Sequence, residues 1–210
     1  MNIVFFGTPR LAQIILEKLI DSPFRPQLVV TAPDSKVGRS LKPQLSPVKQ
    51  TAAKHHIDVL EPKTLNSHLR TGNETFSILN SQFDLAILVA YGKIIPKDIL
   101  AIPKYGFINI HPSILPKYRG PSPIQSAILA GEKQTGVTII KLDEEIDHGP
   151  ILAQKKINIT NHDTHAALVE KLGKLGDELL IETLPEYLDE KLKPKPQNHA
   201  LATFTKKVTK

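Results

Sequence analysis

Asn2-Ile3-Val4-Phe5-Phe6-Gly7-Thr8-Pro9 opens the 210-residue chain with a continuous apolar run that ends in a tight turn. A short run of this kind, bounded by turn residues, reads as a strand covered on both faces. Behind the turn, Leu11, Ile14, Ile15, Lys18 and Leu19 recur at helical spacing, so the chain begins as strand, turn and helix. Gln27 to Thr31 supplies a second strand, and Asp84-Leu85-Ala86-Ile87-Leu88-Val89-Ala90 repeats the opening pattern. The alternation predicts an α/β protein with a Rossmann-like, doubly wound, mostly parallel sheet. Ligands of such sheets gather beyond the carboxyl ends of the strands.

Between the second strand and the next helix lies a polar loop, Pro33 to Gln44, that carries Lys36, Gly38, Arg39 and Lys42. Ser46-Pro47 behind it predicts an N-cap followed by the first position of a helix. Further on, Gly106 to Ile110 reads as a strand leading into Pro-rich irregular structure, and Ser122-Pro123 opens a helix to about Ala130. Thr135 to Leu142 and Ile151 to Ile159 are two β segments around an acidic turn, Asp143-Glu144-Glu145-Ile146-Asp147-His148-Gly149-Pro150. Asp163 to Leu188 has helical periodicity in Leu168, Leu172, Leu175, Leu179, Leu180 and Leu184. No internal repeat is present.

A chain of this length with 40% hydrophobic residues can bury a core of its own. It lacks a run of about 18 apolar residues, and its first residues carry no basic stretch before the strand, so the expectation is a soluble, non-exported protein. Zero cysteines exclude disulfides and thiolate zinc sites and fit the cytoplasm of a bacterium or a processed organellar matrix protein. The net charge of +6 is concentrated in the six lysines at 191, 193, 195, 206, 207 and 210, which leaves residues 1–190 balanced. The expected organisation is therefore a domain over 1–190 and a basic linker over 191–210. That segment reads as a solvated tail or as an arm approaching phosphate.

The residues with chemical potential cluster late in the chain. On a strand, residues two apart project to one face, so Asn109 and His111 share a side at a strand end. An amide donor can hold an oxygen that becomes an oxyanion, and an imidazole can exchange a proton near neutral pH. Asp147 could orient such an imidazole. The residues alone allow plainer readings: an Asn bonded to loop backbone, a satisfied buried His, and an acidic turn that is a solvated loop or a metal site. Gly7-Thr8-Pro9 is not the G-x-G-x-x-G fingerprint, which disfavours a redox dinucleotide. The segment Tyr91-Gly92-Lys93-Ile94-Ile95-Pro96 could line a pocket for a flat ring or form an ordinary strand-to-helix turn.

Asn109-x-His111, the loop Ser113-x-Leu115-Pro116-x-x-Arg119-Gly120 and Asp147-x-Gly149, in this order, resemble the formyltransferases that use 10-formyltetrahydrofolate. The resemblance extends over essentially the whole chain. Within the family, three stretches resemble the branch that formylates initiator methionyl-tRNA in support of translation initiation. They are Phe6-Gly7-Thr8-Pro9, the segment from Pro33-Asp34 through Gly38-Arg39 to Ser46-Pro47-Val48-Lys49, and Ala202 to Lys210. The resemblance implies Asn109, His111 and Asp147 as catalytic residues. It implies Ser113, Ile114, Leu115, Pro116 and the Tyr91, Gly92, Ile94, Ile95 and Pro96 turn as folate contacts, and Arg39 and Lys42 as tRNA contacts. It further implies a monomer without a metal or a membrane partner. Pro112 and His148-Gly149-Pro150 depart modestly from the commonest family pattern. Members of the branch normally continue for roughly another domain of about 100 residues, so the chain is expected to be a shortened or N-terminal portion. Sister acceptors, a sugar-nucleotide amine or glycinamide ribonucleotide, and a non-catalytic RNA- or folate-binding module are the alternatives.

Overall fold

Strand β1 (Ile3–Gly7) is buried at all five positions, as an apolar run covered on both faces requires. Its tight exit depends on Gly7, where a Cβ would stand 2.7 Å from Ala12 Cβ and 2.8 Å from Phe5 Cε1. Helix α1 (Arg10–Ile20) follows and buries Leu11, Ile14, Ile15 and Leu19, while Lys18 faces outward in its last turn. In this computed structural model the described residues are 1–37, 42–63, 65 and 83–208. They divide into two units, Met1–Phe107 and Ile108–Lys210.

In the first unit β2 (Leu28–Val30) and β6 (Leu85–Val89) flank β1, and β5 (Asp58–Leu60) lies outside β2, all parallel. This is the parallel winding expected from the alternating pattern, and helices α1 and α2 (Pro47–Lys54) pack against each other. Ser46 Oγ accepts from Lys49 N at 3.1 Å with Pro47 at the first helical position, as Ser46-Pro47 predicts. The polar loop differs from a plain connection, because β3 (Ser35–Val37) and β4 (Lys42–Gln44) pair antiparallel within it. Lys49 Nζ bridges Asp34 Oδ2 at 2.8 Å and Glu61 Oε2 at 2.7 Å, and these two hydrogen bonds raise its pKa. A short helix α3 (Lys97–Leu100) begins directly after Pro96.

The second unit is built on β7 (Phe107–His111) from Ile108 onward, β8 (Gln134–Lys141) and β9 (Ile151–Asn158), whose pairings are antiparallel, unlike those of the first unit's strands around β1. The long helix α5 (His165–Leu188) packs on β8, β9 and α4 (Pro123–Leu129) through Leu168, Leu172, Leu179, Leu180 and Leu184. Burying each of these leucines stabilises the fold by about 1.5–3 kcal/mol before entropic costs. Thr164 caps α5 by accepting from Ala167 N at 3.2 Å. No helix among the described residues is long and apolar enough to cross a membrane.

Candidate active site

β7 ends in Asn109-Ile110-His111, and its pleat sends Ile108 and Ile110 to one face and Asn109 and His111 to the other. Pairing with β8, which sets Asn109 opposite Ile140 and His111 opposite Thr138, holds this strand end in place. The β8–β9 connection returns Asp147 to the same point. Asn109 Nδ2 donates to Asp147 Oδ1 at 3.1 Å, and His111 Nδ1 lies 3.5 Å from the same oxygen. Asp147 Oδ2 accepts from the backbone N–H of Gly120 at 2.7 Å. Asn109, His111 and Asp147 are all buried, at 6%, 4% and 9% exposure.

His111 Nε2 sits 2.9 Å from the carbonyl oxygen of Tyr118, which can only accept, so this nitrogen carries a hydrogen. Asn109 uses one of its two amide hydrogens on Asp147. The cluster is thus a carboxylate shared by an amide, an imidazole and a loop N–H. It can present hydrogen-bond donors to an oxygen and pass a proton along a short chain.

Ser113 to Pro116 stands next to the cluster but spends most of its polar groups internally. Ser113 Oγ donates to Lys117 O at 2.7 Å, and Thr138 Oγ1 joins Ser113 O at 2.7 Å to Leu115 N at 3.1 Å. Gln154 Nε2 closes the arrangement on Leu115 O at 3.0 Å and Thr138 Oγ1 at 2.8 Å. Ile114 lines a cavity of about 210 Å³ with Lys117, Tyr118 and Glu132, and the cavity does not include Asn109, His111 or Asp147. Burial, then a hydrogen bond to Glu132 at 2.7 Å, pushes the Tyr118 hydroxyl up to about 12.

In the first unit Tyr91 is buried against Phe6 with ring centroids 5.4 Å apart, and burial pushes its phenol up to about 12. Gly92 adopts φ +80°, Ile94 is exposed, Ile95 is buried and Pro96 precedes α3. Lys93 Nζ donates to Pro62 O and Lys63 O, and burial lowers its pKa. Arg39 lies outside the described residues, and Lys42 is described only as a backbone position of β4. The acidic turn pairs His148 Nδ1 with Asp143 Oδ2 at 2.6 Å. Among the described residues no group of three or more His, Cys, Asp or Glu could hold a metal ion.

Residues missed in the sequence come from the end of the chain. Gln197 Nε2 donates to Asp147 O at 2.9 Å and Gly149 O at 2.7 Å, and its Oε1 accepts from Arg119 Nη2 at 2.7 Å. Thr203 and Thr205 hydrogen-bond the backbone from Tyr118 to Ser122. A lysine-rich tail carries no periodic signal that would announce such contacts.

Parallel βα units and a buried polar cluster at a strand end define an α/β protein with a candidate active site. The formyl transferase family profile matches residues 1–184, and the chain belongs to that family. It is 47% identical over 212 residues to a methionyl-tRNA formyltransferase of Dictyoglomus turgidum, covering 100% of this chain and 66% of that protein. The chain spans just under two thirds of the length of the curated relatives it matches. Among solved structures, a phosphoribosylglycinamide formyltransferase from Bacillus halodurans superposes with TM-score 0.69 at 27% identity, covering 90% of this chain and 96% of that one. An N-formyltransferase from Helicobacter canadensis, in complex with folinic acid and dTDP-3-aminofucose, superposes with TM-score 0.72 over 98% of this chain and 70% of that one. At 21% identity it speaks for the fold alone.

Proposed function

We propose that the chain carries the chemistry that moves the formyl group of 10-formyltetrahydrofolate to the α-amino group of methionine on initiator tRNA. The observation that carries this reading is the buried carboxylate of Asp147 shared by Asn109 and His111, in a chain whose curated relatives are named for that reaction. The amine attacks the formyl carbon on N10 of the folate and a tetrahedral intermediate forms. Asn109, with its second amide hydrogen, donates to the developing oxyanion, an interaction that lowers the barrier by about 2.7–4 kcal/mol where comparable donors have been removed. Asp147 orients His111, and the pair moves the proton from the attacking amine to the departing folate nitrogen. The same reading gives Ser113 to Pro116, and the Tyr91, Gly92, Ile94, Ile95 and Pro96 turn, to the folate donor. It gives Arg39 and Lys42 to the tRNA, and describes a cytoplasmic or organellar monomer that needs no metal.

The test is to mix the protein with 10-formyltetrahydrofolate and methionyl initiator tRNA and to look for formylmethionine released from the tRNA. Formylmethionine is expected, and Asn109→Ala should reduce turnover about 10²–10³-fold with donor binding kept. Formyl transfer to a sugar-nucleotide amine or glycinamide ribonucleotide instead would overturn the acceptor. Salt-sensitive RNA retention with no transfer to any amine would overturn the enzyme reading.

A further inference from the structure

Asp147 occupies φ +48°, a left-handed conformation uncommon for residues with a side chain though less so for Asp, and here the surroundings help to hold it. Much of that hold arrives from 50 residues away. Gln197, 5% exposed, donates both hydrogens of its amide to the carbonyls of Asp147 and Gly149, the two residues that flank His148. Its orientation is unambiguous: the nitrogen meets two carbonyls that can only accept, and the oxygen meets a guanidinium that can only donate.

The guanidinium belongs to Arg119, which is 3% exposed and has no carboxylate partner among the described residues. Its Nη2 also stands 2.9 Å from His199 Nδ1. Arg119 immediately precedes Gly120, whose N–H holds the other oxygen of Asp147. Gln197 therefore touches the aspartate turn directly and the loop that grips the carboxylate through one intermediary. Stacking of His148 on His199, with centroids 4.1 Å apart and planes 8° from parallel, ties the same two segments a second time.

We infer that Gln197 is a positioning residue for Asp147, and through it for formyl transfer, which rests on the function proposed above. Without its two donors the turn relaxes, and the carboxylate leaves the point where Asn109 and His111 meet it. Misplacement of a reacting group by about 1 Å costs about 10²-fold in rate, so the effect belongs in kcat and not in donor affinity.

Gln197→Glu keeps an acceptor for Arg119 and replaces the one donor nitrogen with an oxygen that faces both carbonyls, while Gln197→Met removes the hydrogen bonds without adding charge. Both variants should lose about tenfold or more in kcat with donor KM held within about twofold. Combined with Asp147→Asn, either should cost less than about twofold further, because it acts through a carboxylate already removed. Equal losses in both backgrounds, or an unchanged kcat, overturn the inference. A second measurement needs no turnover: the side-chain NH₂ resonance of Asn109, assigned by its loss in Asn109→Ala. It should shift in Gln197→Met as it does in Asp147→Asn, and stay in place in Lys191→Gln. If the wild-type chain formylates nothing, the function falls and this resonance alone decides the positioning role; an unmoved resonance in Gln197→Met overturns that role even in an active enzyme.

Discussion

At the scale of the residue, the turn that carries Asp147 is sterically saturated. A Cβ on Gly149 would lie 1.8 Å from the carbonyl oxygen of Lys141, so the glycine is required by space and not by an unusual backbone angle. Lys141 and Pro150 are hydrogen-bonded across the same turn, N to O at 3.0 Å, and neither strand can step aside without losing this contact. Gly149→Ala is expected to destabilise the fold by about 1–3 kcal/mol, measured as a lowered denaturant midpoint at unchanged slope. An unchanged midpoint would show that the turn yields freely and that its shape is not what fixes Asp147. The motif Asp147-x-Gly149 was legible in the sequence; the reason for its glycine was not, because the obstructing carbonyl belongs to the other side of a hairpin.

At the scale of the element, helix α5 starts on a small electrostatic device. The carboxylate of Asp163 accepts from Thr160 N at 2.8 Å and Thr160 Oγ1 at 3.0 Å, and Lys171 Nζ lies 2.6 Å away. The hydrogen bond from Lys171, then that from the Thr160 backbone, lowers its pKa from 3.8 to about 2. A depressed carboxylate stabilises the folded state fully above its unfolded value and loses that contribution as the pH falls through the folded one. Asp163→Asn should therefore melt at a lower temperature than the parent at neutral pH, and the gap should close between pH 3.8 and about 2. A gap that is constant with pH would mean that the ion pair contributes nothing. The helix itself was readable from its leucine spacing, since that signal is local; the β3–β4 pairing inside the polar loop was not, because Ser35-Lys36-Val37 and Lys42-Pro43-Gln44 are too short and too polar to carry an alternation to read.

At the scale of the whole molecule, the C-terminal segment belongs structurally to the unit that begins at Ile108. Lys195 pairs with Ile151 in both directions at 2.7 and 2.8 Å, Arg119 N donates to Thr203 O at 2.8 Å and Thr205 N to Arg119 O at 2.7 Å. Each such bond contributes about 1 kcal/mol net, and more where removal strands a buried partner. A chain ended after Glu190 is expected to lose at least about 3 kcal/mol in chemical denaturation. A segment that served only as a linker would leave the midpoint where it was.

What the sequence by itself determined is the set of features whose cause lies within a few residues. These are the buried strands, the helix faces, the Ser46-Pro47 start, and the Asn109, His111 and Asp147 motif with the family that it resembles. What only the tertiary structure decided is which distant groups meet. Asp147 reaches Asn109 across 38 residues, and Gln197 reaches Asp147 across 50 and Arg119 across 78. Local propensity and hydrophobic period cannot encode such meetings. They exist because buried amides, a guanidinium and a carboxylate must all find partners once water is removed, and packing of the finished fold sets which partners are within reach.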